Sequence, residues 1–143
     1  MQEGIEDIAA QLNSVSIHLV RRARTADESL GVPPGQLSAL SVLVFGGDRT
    51  LAELAAAEQV TSPTMTRIVD GLERANLAKR YPHPDDGRAT LVRATRRGRH
   101  VMERGRQQRI ELLSSVLVQL DGADLQALTR ACTALARALD PNQ

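Results

Sequence analysis

The stretch SPTMTRIVDGLERANLAKRYPHPDDGRATLVR, residues 62–93, decides the fold. Ser62-Pro63 opens a helix with a capping serine and a proline at the first helical position, where a missing N–H costs nothing. With about 100° of rotation per residue, Met65, Ile68, Val69 and Leu72 fall in one apolar stripe. Pro63, Thr66, Arg67, Asp70 and Arg74 occupy the opposite face. Asn76 tolerates the left-handed conformation that ends such a helix. Leu77–Tyr81 and Thr90–Arg93 then read as strands, joined by His83-Pro84-Asp85-Asp86-Gly87-Arg88, in which Asp86-Gly87 is a turn signal.

Upstream, Thr50-Leu51-Ala52-Glu53 forms a capping box in which Thr50 and Glu53 satisfy free helix amides reciprocally. The short helix it opens packs through Leu51, Leu54 and Ala55 and stops near Gln59. A tight turn over residues 58–61 joins it to the next helix, with small Ala55 and apolar Val60, Met65 and Ile68 placed to let the pair cross closely. This is the helix-turn-helix pattern, although helical hairpins without a nucleic-acid role share its spacing. A hairpin following at once gives the winged-helix order. In that arrangement the second helix enters the major groove and the hairpin tip reaches the backbone or the narrow, electronegative minor groove. The candidate DNA contacts are therefore Ser62, Pro63, Thr66 and Arg67, the last able to fork onto guanine, with Thr64 nearer the packed stripe. Arg88 is the wing contact and Asp86 its positioner; a salt bridge confined to the turn is the competing role for that pair. Arg74, Lys79 and Arg80 suit phosphate contacts or a solvated surface equally.

The chain ends look different. Ile5, Ile8, Leu12, Val15 and Leu19 step by three and four along a helix over about residues 4–28. Pro33-Pro34-Gly35 breaks it from a second helix, striped by Leu37, Leu40, Leu43 and Val44 and ended by Gly46-Gly47-Asp48. Near the C-terminus, Ile110, Leu113, Leu117 and Leu120 repeat the spacing, as do Leu125, Leu128, Cys132, Leu135 and Leu139 beyond Asp121 and Gly122. Matching seams at both ends suggest coiled-coil-like self-association, with an intramolecular bundle as the alternative. The expected architecture is mainly α (α+β): one domain over residues 1–143, with a winged helix-turn-helix lobe at 30–94 and dimerisation helices at 1–29 and 95–143.

Composition and charge agree. A chain of 143 residues with 42% hydrophobic and 24% charged residues fits one globular domain. Only Phe45 and Tyr81 are aromatic, which disfavours a β-sandwich or barrel. No apolar run approaches the ~18 residues of a membrane span, and the acidic start is unlike a signal peptide, so a cytoplasmic protein is expected. The net charge of +1 conceals segregation: residues 61–109 hold twelve basic against five acidic residues (+7), and the remainder six against twelve (−6). That split suggests one half facing a polyanion. Seventeen of the eighteen basic residues are arginine, but the bias runs through the whole chain. One cysteine, Cys132, and three scattered histidines exclude an internal disulfide and the familiar structural zinc sites, and no cofactor motif is present.

These residues resemble the MarR family of multiple-antibiotic-resistance-type transcriptional regulators. The likeness is carried by Gln36-Leu37-Ser38-Ala39-Leu40, Thr50–Ala55, Thr64–Glu73, Leu77-Ala78-Lys79-Arg80, Pro84–Ala89 and Thr95-Arg96-Arg97-Gly98, and with the terminal helices covers essentially the whole chain. It implies a homodimer with interlocked terminal helices that presents two winged helices to a short DNA pseudo-palindrome. It also implies, for many members, a repressor that releases DNA when a small aromatic or anionic effector binds between the dimerisation helices and the DNA-binding lobe. His18 and Arg22, one turn apart on the first helix, become candidate effector contacts by that analogy; a solvated helix edge is the plainer role. Other members sense oxidation through a cysteine in the first helix, where this chain has none, and Cys132 reads as a small apolar filler. Three departures stand out: Gly71 replaces a basic helix former at a cost of ~0.5–1 kcal/mol, Ala94 replaces a leucine at the wing base, and Asn76 replaces a glycine.

The resulting expectation is a sequence-specific, homodimeric DNA-binding repressor acting on double-stranded DNA without a membrane, cofactor or metal. The alternative is a winged-helix protein-interaction module, which would expose apolar residues where this helix carries Pro63, Thr66, Arg67 and Arg74. An enzyme has least support, because no acid pair, nucleophile–base pair or phosphate loop is arranged for chemistry.

Overall fold

The computed structural model describes residues 2–139, and side-chain environments from Gly4 onward. The element order is α1 (Gln2–Glu28), α2 (Pro34–Gly46), β1 (Arg49–Thr50), α3 (Leu51–Ala57), α4 (Ser62–Arg74), β2 (Ala78–Pro82), β3 (Thr90–Ala94), α5 (Arg96–Leu117) and α6 (Gly122–Leu139). The antiparallel sheet runs β1-β3-β2. Tyr81 lies opposite Leu91 and Ala78 opposite Ala94. The central strand also pairs Val92 with Arg49, making a third strand that the sequence did not suggest.

The core sits in the lobe that this sheet closes. Leu40, Leu54, Met65, Val69, Leu72 and Val92 are fully buried, drawn from three helices and the central strand. Met102 joins them, so the first half of α5 roofs the lobe before the helix leaves it. The apolar stripes read from the sequence are thus the buried faces of α2, α3 and α4. Ala94 and Ala78 form a small cross-strand pair, so the missing leucine bulk is matched by an equally small partner.

The capping box at Thr50 and Glu53 is present. At α4, however, the cap is Thr61 rather than Ser62: the Thr61 hydroxyl accepts the Thr64 amide at 3.4 Å, placing Ser62 and Pro63 inside the first turn. Asn76 takes the left-handed conformation (φ 57°) at the end of α4. The next join is tightly built. Thr95 accepts the Gly98 amide at 3.0 Å as the α5 cap and donates its hydroxyl to the Asn76 carbonyl at 2.7 Å.

The terminal seams do not close on each other. Ile5, Ile8 and Val15 remain 64%, 66% and 54% exposed, and α6 has no buried residue. Cys132 is exposed, not a buried filler. An intramolecular bundle is therefore not how this chain covers its seams.

Candidate nucleic-acid interface

Ser62, Pro63, Thr64, Thr66 and Arg67 all lie exposed on the first two turns of α4, because burying Met65, Val69 and Leu72 turns the intervening positions outward. The amide-rich N-terminus of this 13-residue helix points the same way, a favourable place for phosphate. Thr66 donates its hydroxyl to the Ser62 carbonyl at 3.0 Å. Thr64 is no nearer the core than its neighbours; its hydroxyl is 2.9 Å from that of Thr61. Arg74 is exposed in the last turn.

On the wing, Arg88 is exposed and Asp86 organises it differently from a salt bridge: the Asp86 carboxylate accepts the Arg88 backbone amide at 3.0 Å. The guanidinium has no carboxylate partner among the described residues and is left to reach outward. The sequence reading missed His83. Its Nδ1 accepts the amides of Asp85 and Asp86 at 3.1 and 3.2 Å, so the ring shapes the turn that carries Arg88. Its spacing of two and three residues from those amides was the available signal.

The remaining wing cations separate. Arg80 is turned inward to α4, where it pairs with Asp70 at 2.8 Å and with Glu73. Burial alone would lower its pKa, but the hydrogen bonds and charges of Asp70 and Glu73 outweigh that and leave it raised. On the arginine side the pairing is therefore complete at every pH below the group's ordinary value and is lost only above its raised one. Arg93 pairs with Asp48 at 2.8 Å, which raises its pKa through that hydrogen bond and charge. Its guanidinium also lies 5.0 Å from the Tyr81 ring centre, with Lys79 Nζ at 5.6 Å. Lys79 is exposed and has no carboxylate partner among the described residues, so it remains suited to phosphate.

A separate cleft of about 780 Å³ opens where α1, α2 and α5 meet. Val20, Val32, Leu37 and Met102 supply apolar walls, and Arg24 and Arg109 bring positive charge. Arg109 is paired with Asp27 of α1. His18 and Arg22 do not line this cleft: both are exposed, on the side of α1 away from Val20, Ala23, Arg24 and Asp27. No group of His, Cys, Asp and Glu suited to a metal exists among the described residues.

A winged helix-turn-helix with exposed arginines on its reading helix and wing defines a DNA-binding protein class, and the comparisons place the chain within it. Residues 30–89 match the profile of the MarR family. The HTH-type transcriptional regulator Mb0904 of Mycobacterium bovis is 32% identical over 133 residues, 93% of each chain. The crystal structure of Rv1404 from Mycobacterium tuberculosis superposes with a TM-score of 0.82 at 29% identity, covering 94% of this chain and 93% of that one. A Staphylococcus aureus MepR mutant bound to an oligodeoxyribonucleotide shares the fold at TM-score 0.72 and 22% identity, over 92% of this chain and 97% of that one. The chain belongs to the MarR family of transcriptional regulators. It is a DNA-binding regulator and not an enzyme.

Proposed function

We propose that the protein is a homodimeric repressor that reads a pseudo-palindromic operator with Ser62, Pro63, Thr64, Thr66, Arg67 and Arg74 of α4 and with Arg88, held by Asp86, on the wing. The observation that carries this reading is that one lobe presents an exposed Arg67 on the reading helix together with an exposed Arg88 on the wing, which has no carboxylate partner among the described residues. Two copies joined through α1, α5 and α6, with residues 30–94 as the DNA-binding lobe, would cover the exposed seams and set the reading helices about one helical turn (~34 Å) apart. The protein would act in the cytoplasm, where its DNA is. No helix among the described residues is long and apolar enough to cross a membrane. The interaction-module alternative is disfavoured by the polar exposed face of α4.

Release of the operator is assigned to a small molecule in the cleft. Its volume of about 780 Å³ is of the size that small-molecule sites have. Apolar walls with Arg24 and Arg109 suit an aromatic or anionic compound. Such a ligand would act by favouring a different lobe spacing, not by touching DNA. His18 and Arg22 would reach an effector only from the side of α1 that a second subunit would approach.

The test is selection of genomic fragments followed by footprinting. The expected footprint is a pseudo-palindrome with half-site centres about one turn apart. Enrichment of no common sequence, or a single unpaired half-site, would contradict the proposal.

A further inference from the structure

The reading helix has a charge problem of its own. Within α4, Arg67 and Arg74 are matched by Asp70 and Glu73, so its side chains carry no net charge. Asp70 is still 45% exposed at the side chain, and a carboxylate facing phosphates repels them. Arg80, arriving from β2, answers both acids at once. Its Nη2 lies 2.8 Å from Asp70, its Nη1 bonds Glu73, and Nη2 also donates to the Thr66 carbonyl at 3.3 Å. Three acceptors on two turns of α4 thus converge on one planar fork, a geometry that the single ammonium of lysine does not reproduce. Only 26% exposed, this guanidinium would have to abandon its partners to grasp a phosphate.

We propose that Arg80 is a positioning residue for DNA reading: it cancels Asp70 and Glu73 and fastens the wing to the middle of α4, making no contact with DNA itself. Thr66 and Arg67 lie at the fastened point, and Arg88 lies along the hairpin that Arg80 anchors. The fork therefore fixes the register between the two groups expected to meet the major groove and the wing-side groove. This inference rests on α4 and the wing being the DNA-reading surface.

The test uses full-length protein, the operator recovered by the selection above and a scrambled duplex, followed by fluorescence anisotropy. Arg80→Gln exposes two carboxylates to phosphate and is expected to weaken operator binding by about tenfold at low salt. The triple variant R80Q/D70N/E73Q lacks the same ion pairs but also the repulsion. It is expected to recover most of the lost affinity while keeping an operator-to-scrambled ratio below the wild-type value, because the wing is no longer fastened. Melting temperatures for both variants separate a folding loss, which they would share, from the charge effect. A triple variant as weak as Arg80→Gln would overturn the inference, since Arg80 would then touch DNA or serve only the fold. Wild-type affinity in Arg80→Gln would overturn it too, and full discrimination in the triple variant would overturn the fastening role. Arg67→Ala is the control: no effect there would show that the reading surface itself is misassigned, whereas a loss there with none at Arg80 would refute this inference alone.

Discussion

Arg67 and Arg88 are both exposed arginines, yet their surroundings predict different losses. On the proposed reading Arg67 of α4 meets base edges, so Arg67→Ala should relax base preference by ~1–3 kcal/mol at one position of each half-site. Arg88 stands exposed on the wing turn and on the proposed reading meets the backbone or minor groove, so Arg88→Ala should lower affinity for operator and scrambled duplex nearly alike. Titrations against single-base operator variants separate the two patterns, and equal affinities for wild type and both variants would refute the assignment. His83 gives a subtler case. Without the Nδ1 acceptor, the Asp85 and Asp86 amides lose their partner and the turn loosens. His83→Ala should therefore imitate a partial Arg88→Ala in the same titrations, while an unchanged affinity would mean the turn holds its shape without the ring. Which residues of α4 face outward was legible, because helical periodicity alone decides it. Their partners were not: Arg80 meets Thr66 and Glu73 across fourteen and seven residues of sequence, a closure made only by the hairpin folding back.

Among elements, two of the close approaches made at glycine, Gly98 and Gly71, should respond differently to added bulk. A Cβ on Gly98 would lie 2.1 Å from the Leu77 carbonyl oxygen, in the backbone that leads into β2. That carbonyl also accepts the Thr95 amide at 3.0 Å, so it cannot retreat freely. Gly98→Ala should cost about 3 kcal/mol, at the upper end of ordinary overpacking. On Gly71 the same atom would meet the Gln36 side chain at 2.2 Å, which can swing away. Gly71→Ala should stay within about 1 kcal/mol of wild type, since better helix propensity offsets the lost packing. Urea unfolding of both variants decides the matter, and a Gly71 loss as large as that at Gly98 would contradict the account. The sequence flags Gly71 as a poor helix former but could not show the close approach of Gln36 from α2, which is a tertiary contact. The same limit hid β1, two residues long and defined only by pairing with Val92 and Leu91. The cap at Thr50 was legible because its motif closes within four residues.

For the whole molecule, the exposed seams are the largest unmet demand of the chain. Leu128 lies on α6 within a stripe that stays exposed from Leu125 to Leu139. Leu128→Glu should move the sedimentation mass from two chains toward one. It should also lower operator affinity by about a hundredfold or more, since linked half-site binding gains factors of this size. A two-chain mass with undiminished affinity would place the interface elsewhere. The seams were legible as seams; whether they paired within one chain or between two was not, because the same heptad spacing serves both.

The central claim, that two winged lobes of one dimer read one operator, is tested most directly by anisotropy titrations between about 50 and 200 mM salt. The duplexes are the selected operator, a half-site and a scrambled sequence. The account predicts tight operator binding that loses roughly 10³–10⁵ in affinity over that range, as expected for 6–10 phosphate contacts, with half-site and scrambled duplexes bound far more weakly. Equal affinity for all three duplexes, or operator binding that ignores salt, would contradict it.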